Sequence, residues 1–510
     1  MSTTSLTAFF SAIDTALQTV PGTNDASLVR RAGVIRSVKD GILLIDGISG
    51  VKMGEVLRVV GTQIHALVMQ VERDSVFAIV LERGEGIREG LAVESQNRFL
   101  AIPVRESMLG RVVDPFGEAI DGGSAFSDAA TPMMLEASAP GVMERSPVHQ
   151  PVQTGILAID ALIPIGRGQR ELIIGDRQTG KTTVAIDTIL NQRDQNMVCI
   201  YVAIGQRESK TAEVVRTLKA HGALGYTIIV SAGASSSAIS QFLAPYAGAA
   251  IGEYFMKQGK DALVIYDDLS KHAVAYREVS LLLRKPPGRE AYPGDVFYIH
   301  SRLLERAAKL DAALGGGSLT ALPIVETQAN DVSAYIPTNV ISITDGQIFL
   351  ESSLFNQGIR PAMNVGISVS RVGSAAQTKI MKKVSGTIKL DLAQYYELAA
   401  FSQFSSELDA TTKQQLTRGE RVVEALKQKA HKPYTLWQEV VVVRAATGGH
   451  LDALPKQEVG KVLEEVLDLF EIQEATTVAT ILREKALTDE VSQAIEAFLK
   501  HFFASRRGQV

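Results

Sequence analysis

The chain has 510 residues, of which 46% are apolar and 21% charged, and its formal net charge is -4. A chain of this length exceeds what one hydrophobic core organises, so two to four domains are expected. The charge balance gives no electrostatic case for nucleic-acid binding, the single cysteine (Cys199) excludes an intramolecular disulfide, and no apolar run in the sequence is long enough to cross a bilayer.

Residues 1–30 are expected to form an N-terminal helix or docking segment. An apolar stripe at helical spacing runs through residues 2–18, and Pro21-Gly22 ends it. The pattern fits a helix packed on its own domain and a helix that docks on a partner equally well. The first positive side chain is Arg30, which argues against a secretory signal and a transit peptide.

Residues 31–100 contain short β segments separated by glycines, and this spacing indicates a small barrel or sandwich. Few aromatic residues accompany the segments, so a structural role is favoured over single-stranded nucleic-acid binding. The predicted strands are Gly33–Val38, Ile42–Asp46, Glu55–Val60, Ile64–Val71 and Val76–Leu81.

Residues 101–385 begin with a turn-rich connector and then alternate apolar strands with helical patterns. Such alternation is typical of a mostly parallel sheet with helices on both faces, and ligands bind such a sheet beyond the carboxyl ends of its strands. The predicted strands are Glu171–Ile174, Val198–Ile204, Thr227–Ser231, Ala262–Tyr266, Thr320–Val325 and Val340–Thr344.

The first of these strands leads into a G-x-x-x-x-G-K-T motif that opens a helical pattern. Gly175 and Gly180 bracket the loop and let backbone N–H groups approach phosphate oxygens, while the following helix N-terminus favours an anion. Lys181 supplies a point charge for the terminal phosphates, and the hydroxyl of Thr182 can ligate Mg²⁺. The strand–loop–helix context predicts a P-loop that binds a nucleoside di- or triphosphate.

Two later strands end in residues that suit the same site. Asp267, followed by Asp268, stands where P-loop proteins hold Mg²⁺ through water. Gln206 stands where a P-loop hydrolase commonly has a carboxylate that polarises the attacking water, and an amide cannot take up a proton as a carboxylate does. Glu208 is expected on a loop that need not face the site. The sequence therefore permits tight nucleotide binding with poor hydrolysis.

Two further segments leave alternatives open. Arg371, in a polar setting far from the P-loop in sequence, is either half of a surface ion pair or a finger that reaches a phosphate bound by an adjacent subunit. The run Arg284–Glu290, with its double proline, is either a solvated loop or, as we favour, an interface loop.

Beyond residue 386 the β signals become rare and helical periodicity dominates to residue 510. The helical segments are expected at 388–428, 433–446 and 457–503. The predicted fold is therefore multidomain: a small N-terminal β-barrel, a central P-loop α/β domain of the RecA-like kind with a mostly parallel sheet, and a C-terminal helical domain.

Long runs of the sequence resemble the alpha subunits of F-type rotary ATP synthases, most specifically from about residue 100 to 430. They include GDRQTGKT (175–182), YVAIGQ (201–206), LAPYAG (243–248), YDDLSKHAVAYRE (266–278) and GIRPAMNVGISVSRVGSAAQTKIMKK (358–383). The resemblance implies a ring of alternating alpha and beta subunits around a central shaft. It implies an alpha site that holds Mg-ATP without hydrolysing it, in a complex that couples ATP synthesis or hydrolysis to ion transport.

The resemblance also assigns site residues in this chain. Arg371 matches the arginine that alpha extends into the neighbouring catalytic site. Mg²⁺ ligation is implied for Thr182 and Asp267, partly through water. Nucleotide contacts to ATP or ADP are implied for Gly175, Asp176, Arg177, Gln178, Thr179, Gly180, Lys181, Thr182, Thr183 and Gln206, and contacts near adenine for Arg360, Pro361 and Gln428.

The implied partners are beta subunits in a hexameric ring, the central gamma shaft and the peripheral stator subunits delta and b. No nucleic acid is implied, and the membrane is reached only through other subunits, on the cytoplasmic face of the bacterial inner membrane. Residues 1–30 depart from the family's usual N-terminus, and Ala430 stands where a second adenine-side glutamine is common, which would loosen base selectivity.

Two rival interpretations remain. A self-sufficient ring ATPase, such as a secretion or flagellar export motor or a helicase, would need a carboxylate at position 206. A purely structural ring component would have a vestigial site, against which the intact Lys181, Thr182 and Asp267 argue.

Overall fold

The computed structural model describes residues 31–81, 86–402 and 409–507, and its contacts divide the chain into two units after Leu100. The helix predicted within residues 2–18 lies outside the described residues. The first unit is a closed antiparallel barrel with the strand order β1-β2-β5-β4-β3-β6. Its strands are β1 (Ala32–Lys39), β2 (Ile42–Asp46), β3 (Glu55–Val59), β4 (His65–Val71), β5 (Ser75–Val80) and β6 (Ala92–Phe99).

The barrel confirms the five predicted strands and adds β6, which the sequence analysis missed. This strand reads Ala-Val-Glu-Ser-Gln-Asn-Arg-Phe and has little apolar alternation. Only Val93 joins the apolar barrel core, while Glu94 forms an ion pair with Arg58 on β3. A strand that is held by polar contacts and ladder hydrogen bonds gives a weak periodic signal.

The second unit begins with short elements that lead to the main sheet. These are β7 (Ala101–Val104), β8 (Val112–Val113), β9 (Thr131–Met134), β10 (Pro151–Val152), α1 (Leu157–Leu162) and β11 (Ile165–Gly166). Strand β7 pairs with β9, and β10 pairs with β11.

The main sheet has the order β19-β18-β12-β17-β15-β13-β14-β8, with β16 paired to β17. All pairs along this order are parallel except β18 with β19, and β16 is antiparallel to β17. In chain order the elements are β12 (Leu172–Gly175), α2 (Lys181–Leu190), β13 (Met197–Ile204), α3 (Glu208–Ala220), β14 (Thr227–Ala232), α4 (Ala238–Lys257), β15 (Asp261–Asp267), α5 (Leu269–Leu282), α6 (Val296–Leu304), β16 (Ala308–Lys309), β17 (Ser318–Glu326), α7 (Tyr335–Ile343), β18 (Gly346–Leu350), α8 (Ser352–Asn356) and β19 (Val369–Ser370).

Five of the six predicted parallel strands are present, and the sixth prediction is wrong. Residues Val340–Thr344 form the end of helix α7 and the residue after it, and the strand is β18, which follows directly. A short apolar run does not distinguish a buried strand from a buried helix turn, since both keep its side chains out of water.

Helix α4 packs closely across the middle of the sheet. A Cβ at Gly248 would lie 2.3 Å from Val202 Cγ2 on β13, and a Cβ at Gly252 would lie 2.5 Å from Leu319 Cδ1 on β17. Both distances are too short for any real Cβ, so these two positions let the helix axis approach the strands. This approach helps to bury β13 and β15 on both faces, which is why they read as continuous apolar runs.

The C-terminal part is helical, as predicted. It consists of α9 (Lys379–Val384), α10 (Ile388–Ser402), α11 (Ala410–Ala425), α12 (Leu436–Thr447), α13 (Val459–Gln473), α14 (Ala475–Glu484) and α15 (Asp489–Arg507). The stretch predicted at 457–503 is divided into three helices. Helix α12 is buried along most of its length, and its Trp437 stacks on Phe470 of α13. Among the described helices, none has the length and apolarity to cross a bilayer.

Candidate functional site

The P-loop joins β12 to α2 and is held in place by its own lysine. Lys181 is buried, and its Nζ donates to the carbonyl of Gly175 at 2.8 Å and to that of Asp176. Gln178 and Gly180 have positive φ angles of 63° and 97°, so the loop turns sharply at both. Burial lowers the pKa of Lys181. The ammonium therefore lies inside the loop, where phosphate oxygens would be its partners.

Asp176 fastens the P-loop to the neighbouring strand ends. One carboxylate oxygen accepts from Thr327 Oγ1 at 2.6 Å and from the backbone N–H of Asn330 at 2.9 Å. The other accepts from Ser352 Oγ at 3.2 Å. Arg177 points outward from the same loop and forms an ion pair with Glu326, the last residue of β17. Asp176 thus stabilises the loop instead of presenting its charge to a phosphate.

Asp267 receives several donors at the carboxyl end of β15. Its Oδ2 accepts from Thr182 Oγ1 and from Tyr201 Oη, each at 2.7 Å, and the residue is only 2% exposed. Burial raises the pKa of Tyr201, and the Asp267 carboxylate raises it further, so the phenol remains a donor. No group of three or more acidic, histidine or cysteine side chains that could hold a metal occurs among the described residues. A hydroxyl and one carboxylate nevertheless fit Mg²⁺, because in nucleotide sites phosphates and water supply its other ligands.

Gln206 lies directly beside this carboxylate. Its Nε2 donates to Asp267 Oδ1 at 2.7 Å and to the Asp267 carbonyl at 3.2 Å, and the side chain is buried.

Glu208 is the first residue of helix α3 and not a loop residue, which corrects the prediction. Ser235 Oγ donates to its carboxylate at 3.2 Å. Asp268 caps helix α5 and accepts from the backbone N–H of Lys271 at 2.8 Å, and burial raises its pKa.

A cavity of about 1030 Å³ continues from the P-loop towards helices α11 and α13. Thr179, Gly180 and Thr183 line one side, and the residues predicted near adenine line another, namely Arg360, Pro361 and Gln428, together with Ala430. The structure therefore brings the phosphate and base residues of the sequence analysis to one cavity.

The Gln428 side chain is occupied by the backbone around that cavity. Its Oε1 accepts from the N–H of Leu157 at 2.7 Å, and its Nε2 donates to the carbonyl of Gly155 at 2.9 Å. Its own N–H donates to the carbonyl of Arg360 at 2.9 Å, and the Arg360 guanidinium stacks on Phe355. Gln428 thus holds together the backbone segments that form this wall of the cavity.

Arg371 lies at the opposite end of the sheet from the P-loop. Its backbone N–H donates to the carbonyl of Asp345, the residue before β18, at 2.7 Å. Burial raises the pKa of Glu171, the residue before β12, and the charge of Arg371 lowers it in part. Gly175 ends β12, about 13 Å further along a strand that rises about 3.3 Å per residue. The exposed Arg371 therefore does not join the chain's own nucleotide cradle.

Three residues at the cradle were missed by the sequence analysis: Tyr201, Lys210 and Glu326. Tyr201 belongs to the predicted strand Val198–Ile204, whereas Glu326 directly follows the predicted strand Thr320–Val325 and ends the observed β17. That position at a strand end could have indicated Glu326. Lys210 comes four residues after Gln206, in the first turn of α3. No local pattern tells which face of that turn meets the site.

Two parts of the chain match known families. Residues 155–370 match the nucleotide-binding domain of the ATP synthase alpha/beta family, and residues 377–502 match the C terminal domain of the ATP synthase alpha/beta chain. The ATP synthase subunit alpha of Sulfurovum sp. (strain NBC37-1) is 54% identical over 480 residues, which cover 94% of this chain and 95% of that protein. The chain belongs to the ATP synthase alpha/beta family.

This membership confirms the family resemblance and the predicted fold class. The matched nucleotide-binding domain contains the P-loop, Gln206, Asp267 and the residues predicted near adenine up to Pro361. Gln428 lies in the matched C terminal domain, so the cavity is built from both domains. The barrel strands precede both matched regions.

Proposed function

We propose that this chain is the non-catalytic, nucleotide-binding alpha subunit of an F-type ATP synthase. It holds Mg-ATP in its own P-loop and supplies Arg371 to the catalytic site of an adjacent beta subunit. The observation that carries the proposal is the contact between Gln206 Nε2 and Asp267 Oδ1 at 2.7 Å, which puts an amide where a hydrolase of this class needs a base.

The cradle is equipped to bind. Lys181 supplies a positive charge inside the loop, and Thr182 and Asp267 would hold Mg²⁺, which neutralises phosphate charge when bound. The base would enter the cavity beside Pro361 and Gln428. The Ala430 side chain has no hydrogen-bonding group, so we expect base selection to be loose there.

The carboxylates around the cradle are all engaged, which supports binding without hydrolysis. Asp267 accepts from three side-chain donors, Asp268 caps a helix, and Glu326 is paired with Arg177. Each of these carboxylates already has a partner within the chain, and the position beside Asp267 is occupied by the Gln206 amide, which cannot accept a proton as a carboxylate does.

The position of Arg371 supports action on a neighbour. It lies at the amino ends of the parallel strands, while the chain's own phosphate loop lies at their carboxyl ends. The neighbour would be beta in a hexameric ring around gamma, with delta and b as the stator, on the cytoplasmic face of the bacterial inner membrane. The turn at Arg284–Glu290, between α5 and α6, remains our proposed interface loop.

The test uses the purified full-length chain loaded with ATP that is radiolabelled at the γ-phosphate, in the presence of Mg²⁺. After gel filtration we expect bound ATP to stay intact, whereas Lys181→Ala should retain none. Brisk release of labelled phosphate by the chain alone would reject the proposal in favour of a self-sufficient ring ATPase. Failure of the folded chain to bind ATP at all would favour a purely structural subunit.

A further inference from the structure

A second ammonium group reaches the nucleotide cradle. Lys210 projects from the first turn of α3, and its Nζ lies 3.0 Å from Thr182 Oγ1, 3.4 Å from Gln206 Oε1 and 3.6 Å from Asp267 Oδ2. These three oxygens come from the P-loop helix, the end of β13 and the end of β15. The ammonium therefore lies at the point where three separate elements of the site converge.

The oxygens that surround this ammonium are those a metal ion would use. The Thr182 hydroxyl donates a hydrogen bond to Asp267, and its oxygen accepts one from Lys210. The same oxygen would ligate Mg²⁺, and Asp267 would hold the waters of the ion. Mg²⁺ on this oxygen would lie close to the Lys210 ammonium, which is 3.0 Å from it. Because the two positive charges repel each other, Lys210 and Mg²⁺ compete for the Thr182 oxygen.

The helix phase explains why a cation, and not an acid, faces the site. Glu208 and Lys210 are both in the first turn of α3, but residues two apart on a helix point in different directions. Ser235 holds the Glu208 carboxylate, which leaves Lys210 to face the cradle. Its side chain is 40% exposed, so its flexible stem can move towards a bound phosphate.

We propose that Lys210 is a tethered cation of the nucleotide site, which lets the site hold the phosphates of a nucleoside triphosphate without Mg²⁺. This inference rests on the proposed nucleotide-binding function and deepens it. With Lys181 it places two ammonium groups against the phosphates. The gain in affinity that Mg²⁺ brings is correspondingly smaller, because part of the charge it would neutralise is already compensated and one of its ligands is already engaged.

The test is equilibrium dialysis of the full-length chain against ATP, with excess Mg²⁺ or with excess EDTA. Lys210→Ala should weaken ATP binding in EDTA by about 10- to 100-fold, the usual effect of one charge-assisted hydrogen bond. Binding in Mg²⁺ should change much less. The dissociation constant in EDTA divided by that in Mg²⁺ should therefore rise about tenfold or more. Lys210→Arg, which keeps the charge, should restore most of the metal-free binding.

The matched control is Lys219→Ala, an exposed lysine at the far end of the same helix, which should leave both constants unchanged. An equal loss in Mg²⁺ and in EDTA would make Lys210 an ordinary phosphate contact and overturn the proposal. So would unchanged binding in both conditions. If the folded wild-type chain failed to bind ATP even with Mg²⁺, the proposed function itself would fail, which is a distinct result from either of these.

Discussion

Gln206 Nε2 and Asp267 Oδ1 lie 2.7 Å apart at the carboxyl ends of the adjacent strands β13 and β15. The parallel pairing of these strands sets the distance, because Ala203 is opposite Asp267 in the register and Gln206 follows three residues later. The amide donor compensates a carboxylate that is almost fully buried. Asp267 thereby has a hydrogen-bond donor on each of its carboxylate oxygens.

Gln206→Glu should destabilise the metal-free chain in a pH-dependent way. It places two carboxylates in contact, and their repulsion raises the pKa of one of them. The partly exposed Lys210 ammonium, 3.4 Å from Gln206 Oε1, offsets only part of this repulsion. The stability that depends on the proton of the raised carboxyl group is complete below about pH 4.3, the ordinary value for glutamate, and is lost as the pH rises through the raised folded pKa. Between about pH 5 and pH 8 the free energy of unfolding of the variant should therefore fall by about 1–3 kcal/mol relative to wild type. Its melting temperature, measured across this range, should fall with it.

The matched control for that experiment is Gln414→Glu, the same change at an exposed position of α11. It should follow the wild-type pH profile. A Gln206→Glu profile parallel to wild type would show that the two side chains do not touch.

Arg371→Ala should leave the ring assembled but reduce its ATP hydrolysis by about 10³-fold or more, since an arginine finger contributes on that order. The Arg371 side chain is exposed, and its backbone bond to Asp345 survives truncation. Steady-state turnover of the assembled complex gives the rate, and the nucleotide content of the chain's own site should not change. Arg216→Ala, at an exposed position of α3, is the matched control. Near-normal turnover of an assembled Arg371→Ala ring would contradict the finger role.

The nucleotide cradle could be predicted from the sequence because its parts have local signatures. The P-loop is a contiguous motif, and Gln206 and Asp267 each end a strongly apolar run. Parallel strands bring their carboxyl ends to one edge, so residues that follow such strands converge without further information.

The features that the sequence did not predict depend on the direction of a strand or on which residues of a helix face the site. Glu208 and Lys210 are nearly adjacent in sequence, and only the start of helix α3 decides which of them faces the site. Likewise, Arg371 lies away from the P-loop because β19 pairs antiparallel to β18, and no motif records strand direction. The misplaced strand at Val340–Thr344 has the same origin, since its apolar run fits a helix end equally well.

Glu439→Gln should stabilise the chain at high pH. Burial raises the pKa of Glu439 well above its usual range, and the charge of Asp160 raises it further, while Gln153 Nε2 donates to both carboxyl groups. The stabilising contribution of the Glu439 proton is complete below about pH 4.3 and is lost as the pH rises through the folded pKa. Each pH unit across that interval removes about 1.4 kcal/mol of stability. A neutral glutamine needs no proton there.

The melting temperature of the Glu439→Gln variant should match wild type at about pH 5 and exceed it at about pH 8. The reason is that unfolded wild-type chain releases the Glu439 proton that the folded chain retains, whereas the variant has no such proton. Glu471→Gln, at an exposed position of α13, supplies the control and should show no such difference. A variant that is less stable than wild type at every pH would mean that the charge, and not the proton, holds α12 in place.

Gly175→Ala should weaken both the fold and ATP binding. A Cβ at Gly175 would lie 2.3 Å from the carbonyl oxygen of Leu350 and 3.0 Å from Thr179 Oγ1, so either β18 or the P-loop must move. Overpacking of this kind costs about 1–3 kcal/mol. Gly225→Ala is the matched control, because its Cβ would meet no atom within 4 Å. Melting curves and ATP dialysis should separate the two variants, and equal behaviour would show that the close contact between β12 and β18 does not hold the loop.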